Sequence, residues 1–226
     1  MPQACLLRVK RDIAEFTADP PPGIFIAPEE TDITSINAIV MGASNTPHEG
    51  GFFHFYVQCT SEYPMKPPTV RFMTTDAGRV KFNEHIYLDG SICLSTINTN
   101  GSTWSPAHRC CPRVPVFTEK EAADSFESII QHETIRVAVC DTVEACLHEN
   151  SFAQTLKDAV FKKFSELYDK YEGVVKSRLH LTGTVMNDPM RINTGTYQFE
   201  KLLTRLRDLI EEVTKKNETS AANASQ

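Results

Sequence analysis

Apolar residues recur at three- and four-residue spacing at Leu6, Val9, Ile13 and Phe16, with Arg8, Lys10 and Arg11 between them. That period predicts an amphipathic helix with a basic outer face. The run Asp19-Pro-Pro-Pro-Gly23 stops it, because proline has no amide hydrogen to donate and its ring obstructs the preceding turn. Residues 36–40 and 52–57 then concentrate β-branched and aromatic side chains between glycine and proline signals, and 70–73 adds a third short run, as an antiparallel meander requires. Alternation along the second run sets Phe53, Phe55 and Val57 on one side of the sheet and Phe52, His54 and Tyr56 on the other. Both faces are therefore expected to be at least partly covered, and His54 reads as a strand or rim residue rather than a catalyst.

Between residues 74 and 116 the periodicity disappears and Gly, Asn, Ser, Thr and Pro dominate. Irregular stretches of this length are usually functional or disordered. Helical spacing resumes with Phe126, Ile129 and Ile130 leading into Val137 and Ala138. A second stripe runs through Phe152, Leu156, Val160, Phe164, Leu167 and Tyr171, and a third from Phe199 through Leu202, Leu206, Leu209 and Val213. The order of helix, strands, irregular loop and helices is α+β. It divides the chain into a core over 1–148, a helical extension over 149–217 and a small polar tail over 218–226 expected to be disordered.

Composition narrows the function. With 226 residues, 41% hydrophobic and 23% charged, the chain can bury a sizeable core. Its net charge of −6 lacks the basic excess of a protein that wraps a phosphate backbone, which excludes nucleic acid as first-choice partner. No apolar run is long enough to span a bilayer or to serve as a signal sequence, so no membrane partner is expected and the expected location is cytoplasmic or nuclear. Seven cysteines, Cys5, Cys59, Cys93, Cys110, Cys111, Cys140 and Cys146, form an odd and irregular set that reads as free thiols in a reducing compartment. His108, Cys110 and Cys111 together with Cys140, Cys146 and His148 invite a zinc site, but their spacing fits no standard finger and no metal is assigned.

Within the irregular stretch, Asp89-Gly-Ser-Ile-Cys-Leu-Ser95 places Cys93 just beyond a glycine turn, where a thiol is a candidate nucleophile. A loop cysteine alone is weak, since free cysteine is among the most buried residue types. Three motifs supply context: Glu62-Tyr-Pro-Met-Lys-Pro-Pro68, Gly90-Ser-Ile-Cys-Leu94 and Trp104-Ser-Pro-Ala107. In order and spacing they resemble the signature of ubiquitin-conjugating enzymes. His132-Glu-Thr-Ile-Arg-Val-Ala-Val-Cys-Asp141 and Arg178-Leu-His-Leu-Thr-Gly-Thr-Val-Met-Asn-Asp-Pro189 are similar to the C-terminal part of one branch of that family.

The resemblance implies a UBC-like fold and a two-step acyl transfer. Cys93 would take the C-terminal glycine of ubiquitin, or of a ubiquitin-like modifier, from an activating enzyme as a thioester. It would then pass it to a substrate lysine, with or without a ligase. No cofactor is bound, and ATP is used upstream by the activating enzyme. The branch in question is charged by the alternative ubiquitin-activating enzyme and also handles a modifier made of two ubiquitin folds. By the same likeness Arg8, Lys10 and Arg11 would dock the activating enzyme, the other reading being a solvated helix face. Met65 with Ser105, Pro106 and Ala107 would form a small apolar contact for a ligase, against the alternative of a plain turn.

Two departures bear on activity. Where the family carries His-Pro-Asn stand Asn83, Glu84 and His85, so His85 takes the place of the asparagine that serves the oxyanion or orders the loop. Either the triplet is an altered oxyanion site, with Cys93, His85 and Asn83 as the catalytic set, or it ties the loop together through side-chain to backbone hydrogen bonds. After Trp104-Ser-Pro-Ala107 the family continues with a helix that crosses the sheet, whereas residues 108–116 carry Pro112 and Pro115, which a helix interior does not tolerate. A splice or gene-model artefact, repacking by residues 124–135, and a non-catalytic adaptor that keeps only the binding surfaces are the three explanations.

Overall fold

The computed structural model describes residues 3–94, 97, 104–108, 124–188 and 192–224. Cys110, Cys111 and the proline-bearing stretch 109–116 lie outside the described residues, as does the question of the crossing helix.

The chain divides into two compact units, one of residues 1–46 and 52–119, the other of 47–51 and 120–226. The helical region from residue 124 onward is organised with the later helices. In the first unit α1, Gln3–Ala18, buries Cys5, Val9, Asp12 and Phe16. Its inward face is therefore rotated slightly from the purely apolar stripe: Cys5 and the carboxylate Asp12 lie on it, while Leu6 and Ile13 sit at its margin. The strands β1 (Ile24–Pro28), β2 (Ser35–Met41), β3 (Phe52–Gln58) and β4 (Thr69–Phe72) form one antiparallel sheet in chain order. β1 was missing from the three strands expected, since its five residues follow a proline run and are too few to show an alternation.

Register pairs Ile24 with Val40, Val40 with Phe53, and Phe55 with Phe72. Residues directly opposed share a face, so Ile36, Phe53, Phe55, Val57, Val70 and Phe72 line one side, as the alternation predicted. At one end of that face Cys5, Val9 and Phe16 of α1 pack with Ile36, Val57, Cys59 and Tyr63. At the other, Phe53, Phe72 and Phe82 form an aromatic cluster, with the Phe53 and Phe82 rings 5.2 Å apart edge to face. Phe82 anchors the start of the irregular loop to the sheet.

On the opposite face His54 Nε2 lies 2.9 Å from Asn37 Oδ1. Burial lowers the His54 pKa from 6.5 to about 4, because the charged imidazolium loses its solvation. A histidine whose folded pKa is depressed contributes stability that is complete above the unfolded value and is lost as pH falls toward the folded one. The urea midpoint is therefore expected to drop between about pH 6.5 and pH 4, by roughly 2 kcal/mol in stability, and His54→Gln should flatten that segment of the profile.

The second unit begins with α2, Asp124–Glu133, which passes through a π-helical stretch, Thr134–Asp141, into α3, Thr142–His148. Then come α4, Gln154–Ser177, and α5, Phe199–Ala224. Residues 218–224, expected as disordered tail, continue α5. The two C-terminal motifs are scaffold. His132 is buried, with Nδ1 2.7 Å from Glu133 Oε1 and Nε2 accepting the Gln198 amide at 3.1 Å, edge to face against the stacked rings of Tyr197 and Phe199. Arg205 of α5 donates to both Glu144 carboxylate oxygens and to Asp141 Oδ1. Burial opposes its charge, yet these bonds raise its pKa. Asp188 Oδ2 accepts the Asn193 amide at 2.7 Å. Cys140 and Cys146 are buried thiols whose pKa values burial pushes up to about 12, which makes them poor nucleophiles and poor metal ligands.

Candidate active site

After β4 the chain turns through Thr75, where the Gly78 and Arg79 amides bond back to the Thr75 carbonyl, and then buries Val80 and Phe82. Asn83 is itself buried, and its Oδ1 accepts the His85 amide at 2.8 Å. Ile86 donates to the Asn83 carbonyl at 3.2 Å. This is an Asx turn, so Asn83 orders the loop, the second of the two readings of the triplet. Its side-chain oxygen accepts a backbone amide, which orders the turn ahead of Cys93.

From His85 to Cys93 the chain doubles back as a short hairpin. Ile86 and Ile92 are bridged, the Cys93 amide bonds to the His85 carbonyl at 2.8 Å and the Tyr87 amide to the Ser91 carbonyl at 2.9 Å. Ile86 and Ile92 point into the core, while His85, Tyr87 and Ser91 are exposed and Cys93 is half-buried. Alternation thus sets Cys93 and His85 on the outward face as directly opposed residues. Two apolar anchors hold the hairpin down, and Gly90 ties it to the sheet: the Phe72 amide donates to the Gly90 carbonyl at 2.8 Å, and Arg71 donates to the Asp89 carbonyl at 3.1 Å. Asp89 Oδ1 accepts both the amide and the hydroxyl of Ser91, and those bonds lower the Asp89 pKa.

Among the five described cysteines Cys5, Cys59, Cys140 and Cys146 are buried, and Cys93 is not. A thiol must meet a macromolecular acyl group at the surface, and of those five Cys93 is the one placed to do so. His85 has 48% of its side chain exposed, and its Nε2 lies 3.4 Å from Glu84 Oε1.

The chain is similar to proteins of one family. A family model described as ubiquitin-conjugating enzyme matches residues 8–114. The chain is 41% identical to ubiquitin-conjugating enzyme E2 Z of Danio rerio over 224 residues, covering 91% of this chain and 67% of the relative. Against the protein of the same name from Xenopus tropicalis the identity is 38%, with 94% and 73% covered. Against that of Homo sapiens it is 40%, with 89% and 62% covered. The chain belongs to the ubiquitin-conjugating enzyme family. It is accordingly a transferase of α+β, UBC-domain architecture, and the general activity of its family is thioester transfer. Ubiquitin, an activating enzyme and ligases are the general partners of such enzymes. Among the described residues no helix is long and apolar enough to cross a membrane.

Knowing the family, one can compare the expected partner-binding residues with their surroundings. Lys10 and Arg11 are exposed on α1, Arg11 pairing with Glu15 at 2.8 Å. Arg8 differs. Its Nε bonds to buried Asp12 at 2.8 Å, and its two terminal nitrogens donate to the carbonyls of Pro106 and His108 at 2.8 and 2.7 Å. The Tyr63 hydroxyl donates to the other Asp12 oxygen, and Trp104 Nε1 donates to the Pro64 carbonyl at 2.9 Å. Arg8 is therefore a strut that holds the loop 104–108 against α1, a role that charge patterning alone could not separate from docking. Asp12, Tyr63 and Trp104 complete the strut, and the signal for Asp12 in the sequence was a carboxylate four residues after Arg8 on the inward side.

The same contacts bring two loops together. Met65 is 74% exposed one residue beyond Pro64, while Pro106 and Ala107 are exposed on the loop that Trp104 anchors and Ser105 is half-buried. Replacing Asp12 by alanine would leave the Tyr63 hydroxyl and the Arg8 guanidinium without their shared acceptor. A loss of about 2 kcal/mol in urea denaturation is expected, with Asp12→Asn losing less because it keeps an acceptor oxygen.

Proposed function

We propose that Cys93 accepts the C-terminal glycine of ubiquitin or a ubiquitin-like modifier from an activating enzyme as a thioester and transfers it to a lysine of a protein substrate, alone or with a ligase. The observation that carries this reading is the outward placement of Cys93 on a hairpin pinned by Ile86, Ile92 and Gly90, while the other described thiols are buried. A thioester keeps the acyl group activated because sulfur conjugates poorly with the carbonyl, and a thiolate leaves far more readily than an amide nitrogen. The attacking lysine must be neutral, which favours transfer at a partly desolvated site. His85 supplies a polar group beside the sulfur, and an imidazole N–H can donate to the oxyanion of the tetrahedral intermediate. Asn83 supports it by shaping the turn.

Lys10 and Arg11 form the docking face for the activating enzyme, which in this reading is the alternative ubiquitin activator. Met65 with Ser105, Pro106 and Ala107 forms the apolar contact for a ligase. The reaction draws on no bound cofactor or metal of this chain, ATP being consumed by the activating enzyme. The free thiols fit a cytoplasmic or nuclear setting. The test is to mix the protein with activating enzyme, ubiquitin and ATP and to look on a non-reducing gel for an adduct that added thiol removes. Absence of the adduct with every activator would support the adaptor instead.

A further inference from the structure

Resting on the assignment of Cys93 as acceptor, we infer that His85 is a general base toward the incoming nucleophile, and that the enzyme therefore also transfers its acyl group to aliphatic hydroxyls, forming oxygen esters on serine or threonine side chains.

Placement comes first. Ile86 and Ile92 form the bridged pair, and the bonds from Cys93 to the His85 carbonyl and from Tyr87 to the Ser91 carbonyl flank it. In this pattern His85 and Cys93 are opposed across the ladder, with Cβ atoms about 5 Å apart and side chains on one face. Burial confirms the alternation: 86 and 92 face inward, 85, 87 and 91 outward, and 93 is accessible in part. The backbone thus sets a histidine opposite Cys93 on the same face of the hairpin.

What an imidazole adds is a lone pair. A side-chain amide can donate to an oxyanion but cannot take a proton near neutral pH, whereas a neutral imidazole can. Glu84 Oε1 lies 3.4 Å from His85 Nε2. Cys93 and His85 share the outward face of the hairpin and Glu84 lies beside the imidazole, the residue types that activate nucleophiles in acyl transfer.

The acceptor class follows from the acids involved. An amine needs only to be neutral before it attacks, so a base helps it little. A hydroxyl is a weak nucleophile unless its proton is removed as the bond forms, and general-base assistance is then worth on the order of 10²–10⁴-fold. In the step, the hydroxyl oxygen bonds to the thioester carbonyl carbon while its proton passes to His85. The C–S bond breaks, the proton returns from His85 to the Cys93 sulfur, and an ester and a free thiol result with no change in oxidation state.

The test begins with the Cys93 thioester formed from the full chain, activating enzyme, ubiquitin and ATP. After ATP is removed, discharge is followed with lysine, serine, threonine or no acceptor, and products are read by mass and by sensitivity to hydroxylamine, which cleaves esters but not amides. The expected result is an ester product with serine and threonine above the no-acceptor control. His85→Asn should lower the ratio of ester to lysine product at least 10-fold, and Glu84→Gln should lower that ratio by a smaller factor. Discharge to lysine alone, loss to water without ester, or an equal fall of both reactions in His85→Asn would overturn the inference while leaving Cys93 as acceptor. Failure to form any thioester would remove both readings together.

Discussion

A Cys93→Ala protein is expected to form no thiol-sensitive adduct with ubiquitin when supplied with activating enzyme and ATP, while its melting temperature stays within a few degrees of the parent. The loss is set by chemistry rather than folding. Cys93 is half-buried on the outer face of the hairpin, so truncating it opens no cavity in the core. Removing a covalent nucleophile, however, removes the intermediate itself, and losses of 10³-fold or more are usual on that order. The described alternatives are poorly placed: Cys5 donates its thiol to the Thr60 carbonyl at 3.1 Å inside the first core, and Cys140 and Cys146 are buried with raised pKa values. A thiol-sensitive adduct that survives in Cys93→Ala would move the role to another cysteine. Non-reducing electrophoresis beside a thermal melt separates the chemical effect from misfolding.

Gly90→Ala should be the more damaging change to the site's shape. Gly90 has φ of 82°, a conformation that L side chains rarely adopt, and a Cβ there would lie 2.3 Å from the Phe72 carbonyl oxygen. That atom is backbone of the edge strand and cannot swing aside. The hairpin must therefore lift from β4, breaking the bond from the Phe72 amide to the Gly90 carbonyl and tilting Cys93 and His85 together. A cost of about 3 kcal/mol in stability is expected, combining left-handed backbone strain with the displaced contact. Displacement of the thiol on the scale of 1 Å should slow charging on the order of 10²-fold. Single-turnover charging and urea denaturation read the two effects separately. Normal charging with unchanged stability would show that the hairpin is not held from Gly90.

Much of this was legible in the order of residues, and the exceptions have physical causes. The β3 alternation of Phe53, Phe55 and Val57 against His54 and Tyr56 is a local periodicity, so it survives folding unchanged. β1 escaped notice because its five residues are held by pairing with β2 rather than by any pattern of their own. Arg8 was grouped with Lys10 and Arg11 by charge, yet its partners lie about a hundred positions away at Pro106 and His108. Asn83 accepts the amide two residues on, which is the loop-ordering contact that its place in the triplet left open beside the oxyanion reading.

Periodicity, turn residues and the motif around Cys93 determined that a meander sheet follows a helix, and that a cysteine lies on the loop beyond it. These depend on neighbours within a few residues, where chain geometry dictates which side chains share a face. Folding alone decided that His85 stands opposite that cysteine, that Asp12 is an inward carboxylate bridging Tyr63 and Arg8, and that α2 is organised with the later helices. Each of those outcomes is a contact between distant or reversed segments, and its energy exists only once the chain has closed on itself.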